Sequence, residues 1–258
     1  MTLDPIYIAL GACVGFIVGL TGVGGGSLMT PALVLLFGIH PATAVGTDLL
    51  YAAVTKGVGS LVHGARRNVD LRVVGLLALG SVPTAAITLL SLSQLGPRSG
   101  QAAKVITCAL GATLLITAVS LVFRRKLMTM RLAEPERSAD RSAALTILTG
   151  AVIGALVTLS SVGAGAIGVT ALLLLYPSSS ASRIVGTDIA HAVPLTLVAG
   201  AGHWLTGSVD PSMLLSLVTG SVPAIVVASY LAPRLPEVGL RYLLALVLAI
   251  AGGKLVVA

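Results

Sequence analysis

Long apolar runs, broken at regular intervals by short polar or glycine-rich stretches, organise this 258-residue chain. They fall at about residues 6–20, 27–39, 43–62, 72–92 and 102–123, then at about 143–159, 166–176, 184–206, 212–232 and 239–257. The runs are continuous rather than alternating, which predicts buried or membrane-spanning helices and argues against a transmembrane barrel. A crossing helix needs about 20 residues to span roughly 30 Å of hydrocarbon. Three runs in each half meet that length, the first of each half is marginal, and the second is too short. Each short pair is joined by small residues, Thr21-Gly22-Val23-Gly24-Gly25-Gly26-Ser27 and later Ser160-Ser161-Val162-Gly163-Ala164-Gly165. Each pair therefore reads as a broken or re-entrant helical hairpin with its tip inside the protein.

The pattern repeats in sequence as well as in hydropathy. Val45-Gly46-Thr47-Asp48 recurs as Val185-Gly186-Thr187-Asp188, His63 as His203, Val69-Asp70 as Val209-Asp210, and Gly80-Ser81-Val82-Pro83 as Gly220-Ser221-Val222-Pro223, all 140 residues apart. The glycine stretches align at 139, one residue out of step. Several motifs in one register mark an internal duplication. The predicted units are a first transmembrane repeat over 1–123, a basic linker over 124–142 and a second repeat over 143–258.

Composition sharpens the class. Mean hydropathy is +1.03, and charged residues make up 10%, against about 25% in soluble domains. The net charge of +7 does not form a nucleic-acid surface. Six of the 16 Lys and Arg lie between Arg124 and Arg141, and Arg66, Arg67 and Arg72 flank another short loop. Basic residues in short loops beside apolar spans mark the cytoplasmic side. The Gly64–Asp70 loop and the linker are thus placed inside, whereas Trp204–Pro211, without Lys or Arg, is placed outside. That requires an odd number of crossings between the linker and Trp204 and makes the two halves antiparallel. The expected fold is an all-α polytopic membrane protein of two inverted repeats, each a broken hairpin plus three full spans. Cys13 and Cys108 sit inside apolar runs and read as packing residues. The first residues lack a basic region and carry Asp4, so a cleaved signal peptide is not expected.

Interrupted helices at matching positions of inverted halves point to secondary transport around a midplane site. A helix that starts inside the membrane leaves its first amides without intrahelical partners, and these, with the helix dipole, favour an anion. Glycine lets the backbone approach a ligand closely. Helix starts near Gly26-Ser27 and Gly165-Ala166 can face each other across the pseudo-two-fold axis. The candidate substrate-binding residues are Thr21, Gly22, Gly24, Gly25, Gly26, Ser27, Ser160, Ser161, Gly163 and Gly165. The alternative is that these small residues only permit tight helix crossing.

Ionisable groups within apolar spans are functional candidates by default. Asp48 and Asp188 open the third segment of each half. They serve either as caps or interhelical hydrogen-bond partners, with Thr47 and Thr187 as rival caps, or as a proton- or sodium-coupling site. Lys56, whose counterpart is Thr196, can supply positive charge, and Arg183 reads as an interface residue. His191, matched by Tyr51, is either a satisfied interior histidine or a proton-transfer group. Asp48, Asp188, Lys56 and His191 are the candidate coupling or gating residues. His63 and His203 are expected near opposite faces, and Pro83 and Pro223 are expected to kink the fourth spans.

The glycine-rich Gly19–Ser27, the following Pro31, Val45-Gly46-Thr47-Asp48 and their mirrored set resemble the sulfite exporter TauE/SafE family of bacterial membrane permeases, over almost the whole chain. The resemblance implies a multi-pass bacterial inner-membrane permease for export or uptake of a small, sulfur-containing anion such as sulfite or an organosulfonate, and the duplication with its broken helices suggests alternating access around the site. The partners implied are the anion, the bilayer and a coupling proton or sodium ion. The second stretch has fewer glycines than the first, so the two half-sites should be chemically unequal. The rival reading is a cation-coupled or cation-carrying transporter built on Asp48 and Asp188. The sequence offers no paired carboxylates on one helix, metal-ligand triad or activated nucleophile. No enzymatic activity, metal, cofactor or nucleic-acid partner is therefore expected.

Overall fold

The computed structural model describes residues 3–21, 26–65, 68–96, 99–131, 139–231 and 237–257. Ten helices, and no strand, are found among them: α1 (Pro5–Thr21), α2 (Gly26–Leu35), α3 (Pro41–Ala65), α4 (Leu71–Leu95), α5 (Gly100–Arg131), α6 (Ala139–Ser160), α7 (Ala166–Leu175), α8 (Ala181–Leu205), α9 (Pro211–Leu231) and α10 (Glu237–Val257). Each predicted run is a helix. Five of them, within α4, α5, α6, α8 and α9, are long and apolar enough to cross a bilayer. Their outer faces carry exposed Leu79, Ile87, Leu90, Ile116, Val119 and Leu148, a surface suited to lipid rather than water.

At 1.5 Å per residue, α2 and α7 are about 15 Å long, half a bilayer core. Contacts at the hairpin bases show that the chain turns back. The Tyr7 ring at the start of α1 packs on Phe37 just past α2, with centroids 5.6 Å apart. In the second half, Thr146 near the start of α6 shares a 2.7 Å hydrogen bond with Tyr176 just past α7. Both ends of each hairpin therefore lie at one face, and the first turns of α2 and α7 lie within the protein.

The halves interlock. α1 runs beside α9, with Gly11 against the Leu217 backbone and Gly15 against Ser221. The matching pair is α6 beside α4, with Gly150 against the Leu77 backbone and Gly154 against Ser81. Helices related by the duplication meet near the centre. Gly46 at the start of α3 lies on His203 and Ser208 at the end of α8, and Gly200 lies on Leu50, so α3 and α8 run antiparallel. Likewise Gly111 of α5 meets Gly252 and Val256 of α10, while Gly252 meets Leu114 and Leu115. The hydrogen bonds repeat too: Asp70 N donates to Thr187 Oγ1 at 2.9 Å, and Asp210 N to Thr47 Oγ1 at 3.1 Å. A central core of Val45, Leu49, Ile106, Ile153, Val157 and Leu195 fills the space between them.

Several expectations need correction. α5 continues to Arg131, and α6 begins at Ala139, so helix extends into the stretch read as linker. Loss of hydropathy marks where lipid ends, but Arg and Lys continue a helix readily in water. Asp48 and Asp188 do not open their helices. α3 and α8 start seven residues earlier, at Pro41 and Ala181, which removes the capping role for them and for Thr47 and Thr187. Ser180 caps α8 instead, accepting from Arg183 N. Cys13 and Cys108 are exposed on the helix surfaces and are not packing residues. α4 and α9 continue through Pro83 and Pro223, as α2 and α8 do through Pro31 and Pro194.

Candidate functional site

The two hairpin tips meet. The Cα of Gly26, the first residue of α2, rests on the Ser161 carbonyl so closely that any side chain there would collide with it. Gly26 therefore owes its identity to this approach. In the second tip Ser161 takes φ 58°, and Gly163 and Gly165 take φ 120° and 131°. These values suit glycine and strain serine. α7 then starts on Gly165 without a side-chain cap, leaving an uncapped helix start inside the bundle.

The predicted site residues divide sharply. Thr21 ends α1, and nothing is described of its side chain. Gly22, Gly24 and Gly25 lie outside the described residues. Ser27 is buried in the first turn of α2. Ser160 is occupied locally: its hydroxyl donates to Leu156 O at 2.6 Å and accepts from Val162 N at 3.2 Å. Ser161 differs. Its buried hydroxyl lies beside the Asp48 carboxylate, yet neither that hydroxyl nor Asp48 Oδ1 completes a hydrogen bond among the described residues.

Two carboxylates attend the short helices. Asp48 is fully buried, and its Oδ2 accepts from Thr30 Oγ1 of α2. Asp188, also buried, presses Oδ1 against Gly168 in the first turn of α7, and that oxygen has no hydrogen-bond partner among the described residues. Both sit near the positive end of a short helix, where the dipole favours negative charge. Lys56 follows Asp48 by eight residues on the same face of α3 and reaches across to the second tip, where Nζ donates to Ala164 O at 3.0 Å. It interacts electrostatically with both Asp188 and Asp48. One lysine between two acids ties the halves together at the tips.

His191 stands beside this cluster, also within the field of Lys56. Its Nε2 is 2.8 Å from Ser81 Oγ, while the buried Nδ1 has no partner among the described residues. The repeat-related pair is Tyr51 and Ser221, whose oxygens are 2.5 Å apart. Both serines were visible in the repeated Gly-Ser-Val-Pro motif, and Tyr51 as the counterpart of His191. Thr30 and Gly168 carried no such signal. His203 is bound elsewhere, with Nε2 3.0 Å from Thr158 O. Nothing is described of the His63 side chain. Arg183, read as an interface residue, pairs with Asp70 at 2.9 Å.

The arrangement is a buried polar cluster halfway through an apolar bundle, assembled from both halves and centred on broken helices. The model of the sulfite exporter TauE/SafE family matches residues 7–255. The chain is 38% identical over 253 residues to the "Probable membrane transporter protein YjnA" of Bacillus subtilis (strain 168), covering 96% of this chain and 98% of that one. It is 25% identical to the "Probable membrane transporter protein YdhB" of the same organism, over 92% and 94% of the two chains. No solved structure matches the chain at a significant level. The chain belongs to the sulfite exporter TauE/SafE family and is a multi-pass helical membrane transporter.

Proposed function

We propose that this transporter is a permease for a small sulfur-containing oxyanion, such as sulfite or an organosulfonate, which binds between the two hairpin tips. The observation that carries the reading is the meeting of Gly26, Ser161 and Ala164 at the tips, with Lys56 anchored on Ala164 O. The start of α7, which no side chain caps, offers amide donors, Ser161 a buried hydroxyl beside Asp48, and Lys56 a charge that can turn from the carbonyl to an anion. The two halves form an inverted repeat, as the antiparallel meeting of α3 with α8 supports. Alternating access follows from repacking one hairpin against the other half while the tips stay near the midplane.

Two carboxylates beside an anion site oppose the cargo unless a cation or proton accompanies it. The buried, unpartnered Asp48 Oδ1 and Asp188 Oδ1 favour such coupling, with sodium or a proton bound alongside the anion. Uptake of labelled sulfite, sulfate, thiosulfate and methanesulfonate into proteoliposomes tests both parts. Lys56→Gln should lower uptake of the preferred anion at least about tenfold, the worth of one lost charge contact. Asp188→Asn should remove its dependence on a sodium or proton gradient. Native rates in Lys56→Gln would reject the tip site. Gradient-independent uptake by the native chain would reject coupling, and ion uptake without any anion would turn the reading to a cation carrier.

A further inference from the structure

The two ends of the bundle are chemically unequal. At the end where the linker joins, a cleft of about 270 Å³ opens between the start of α4, the start of α6 and the end of α7. Its polar lining is Asp70, Arg72, Ser142, Tyr176 and Ser178. Asp70 is fully engaged. Oδ2 accepts from Arg183 at 2.9 Å, and Oδ1 accepts from the amides of Arg72 and Val73 at 3.2 and 3.3 Å. Its charge is matched by Arg183. Arg72, exposed and without an ion pair among the described residues, leaves the cleft positive. A smaller cleft lined by Asp70, Tyr176, Arg183 and Thr187 lies beside it, and Thr187 adjoins Asp188 of the central cluster.

The duplication supplies an internal control. The positions matching Arg72, Arg183, Ser142 and Ser178 are Ser212, Thr43, Leu3 and Ile39, and Ala143 is matched by Asp4. At that opposite mouth both Asp4 and Asp210 act on Tyr7, whose ring packs on Phe37. An anion meets an arginine and hydroxyls at one mouth and two carboxylates with an aromatic pair at the other. The stretch from Arg124 to Arg141 adds six Lys and Arg against Glu134, Glu136 and Asp140, a net charge of +3 that raises the local anion concentration on its side.

We propose that the cleft at Arg72, Ser142 and Ser178 is a loading site for a small oxyanion, so that cargo enters the transporter from the linker side. Arg72 provides the charge, and the two serine hydroxyls donate hydrogen bonds. The proposal rests on the reading of the chain as an anion permease.

Sided flux of sulfite and methanesulfonate, measured with the full chain uniformly oriented in phosphatidylcholine vesicles, tests it. Arg72→Gln should raise KM about tenfold for anion offered on the linker side. It should leave linker-side kcat and opposite-side KM unchanged, so that opposite-side kcat falls in proportion as detailed balance requires, and Arg72→Lys should restore most of the loss. An unchanged linker-side KM in Arg72→Gln, with Lys56→Gln still impaired, overturns the loading site and leaves the central site standing. Absence of anion flux in the native chain overturns both. Phosphate headgroups carry the same chemistry, so the flux is repeated with phosphatidylglycerol added. If anionic lipid abolishes the difference between native and Arg72→Gln, the cleft holds a headgroup and the loading role is overturned.

Discussion

Ser161 concentrates the argument at the residue scale. A non-glycine residue at φ 58° costs roughly 1–2 kcal/mol relative to glycine. A chain that needed only a tight turn here would do better with glycine, as at Gly163 and Gly165. Ser161→Gly should therefore raise thermal stability in detergent, by about 1 kcal/mol, while lowering anion uptake. A variant that is both more stable and fully active would make the hydroxyl a neutral passenger. The sequence exposed Ser161 as part of a small-residue stretch but not its difference from Ser160. That difference depends on which hydroxyl finds a local carbonyl once the helix ends, and no sequence pattern specifies it.

At the scale of elements, glycine has two unlike uses. Gly80 and Gly220 face the backbones of Ile147 and Ile8, close enough that a methyl group would strike a carbonyl. Gly57 and Gly75 have open space around them. Gly80→Ala and Gly220→Ala should each destabilise the bundle by about 1–3 kcal/mol, whereas Gly75→Ala should cost nothing. Thermal unfolding of the three variants in one detergent checks this, and equal effects at all three positions would dismiss the packing role. Gly11 and Gly15 likewise let α1 approach α9, and Gly150 and Gly154 let α6 approach α4. Hydropathy and the duplication made every helix legible, including the undersized α2 and α7. Hydropathy placed the starts of α3 and α8 at about 43 and 184, within three residues of Pro41 and Ala181, and the error lay in treating Asp48 and Asp188 as the residues that open these helices.

For the whole molecule, the duplication explains most of the architecture, and the proposed function rests on its imperfections. Matched pairs such as Thr47 with Asp210 and Thr187 with Asp70 maintain the frame. Lys56 against Thr196, His191 against Tyr51 and Arg72 against Ser212 break it, and each break falls at the central cluster or at a mouth. Comparing the halves made the first two visible in the sequence. The cleft at Arg72 was not visible, because it depends on the end of α7 and the start of α6 arriving beside α4.

The meeting of the hairpin tips around an anion is the central claim, and chemical access to Ser161 tests it most directly. Ser161→Cys, in a chain with Cys13→Ala and Cys108→Ala, is treated with a charged methanethiosulfonate reagent from either side of the membrane, with and without methanesulfonate. Sulfite is unsuitable because it attacks the reagent and its disulfide product. The account predicts slow modification from each side, protection by the anion at both, and no state open to both sides at once. Modification unaffected by any transported anion, or a thiol open to both sides together, would contradict it.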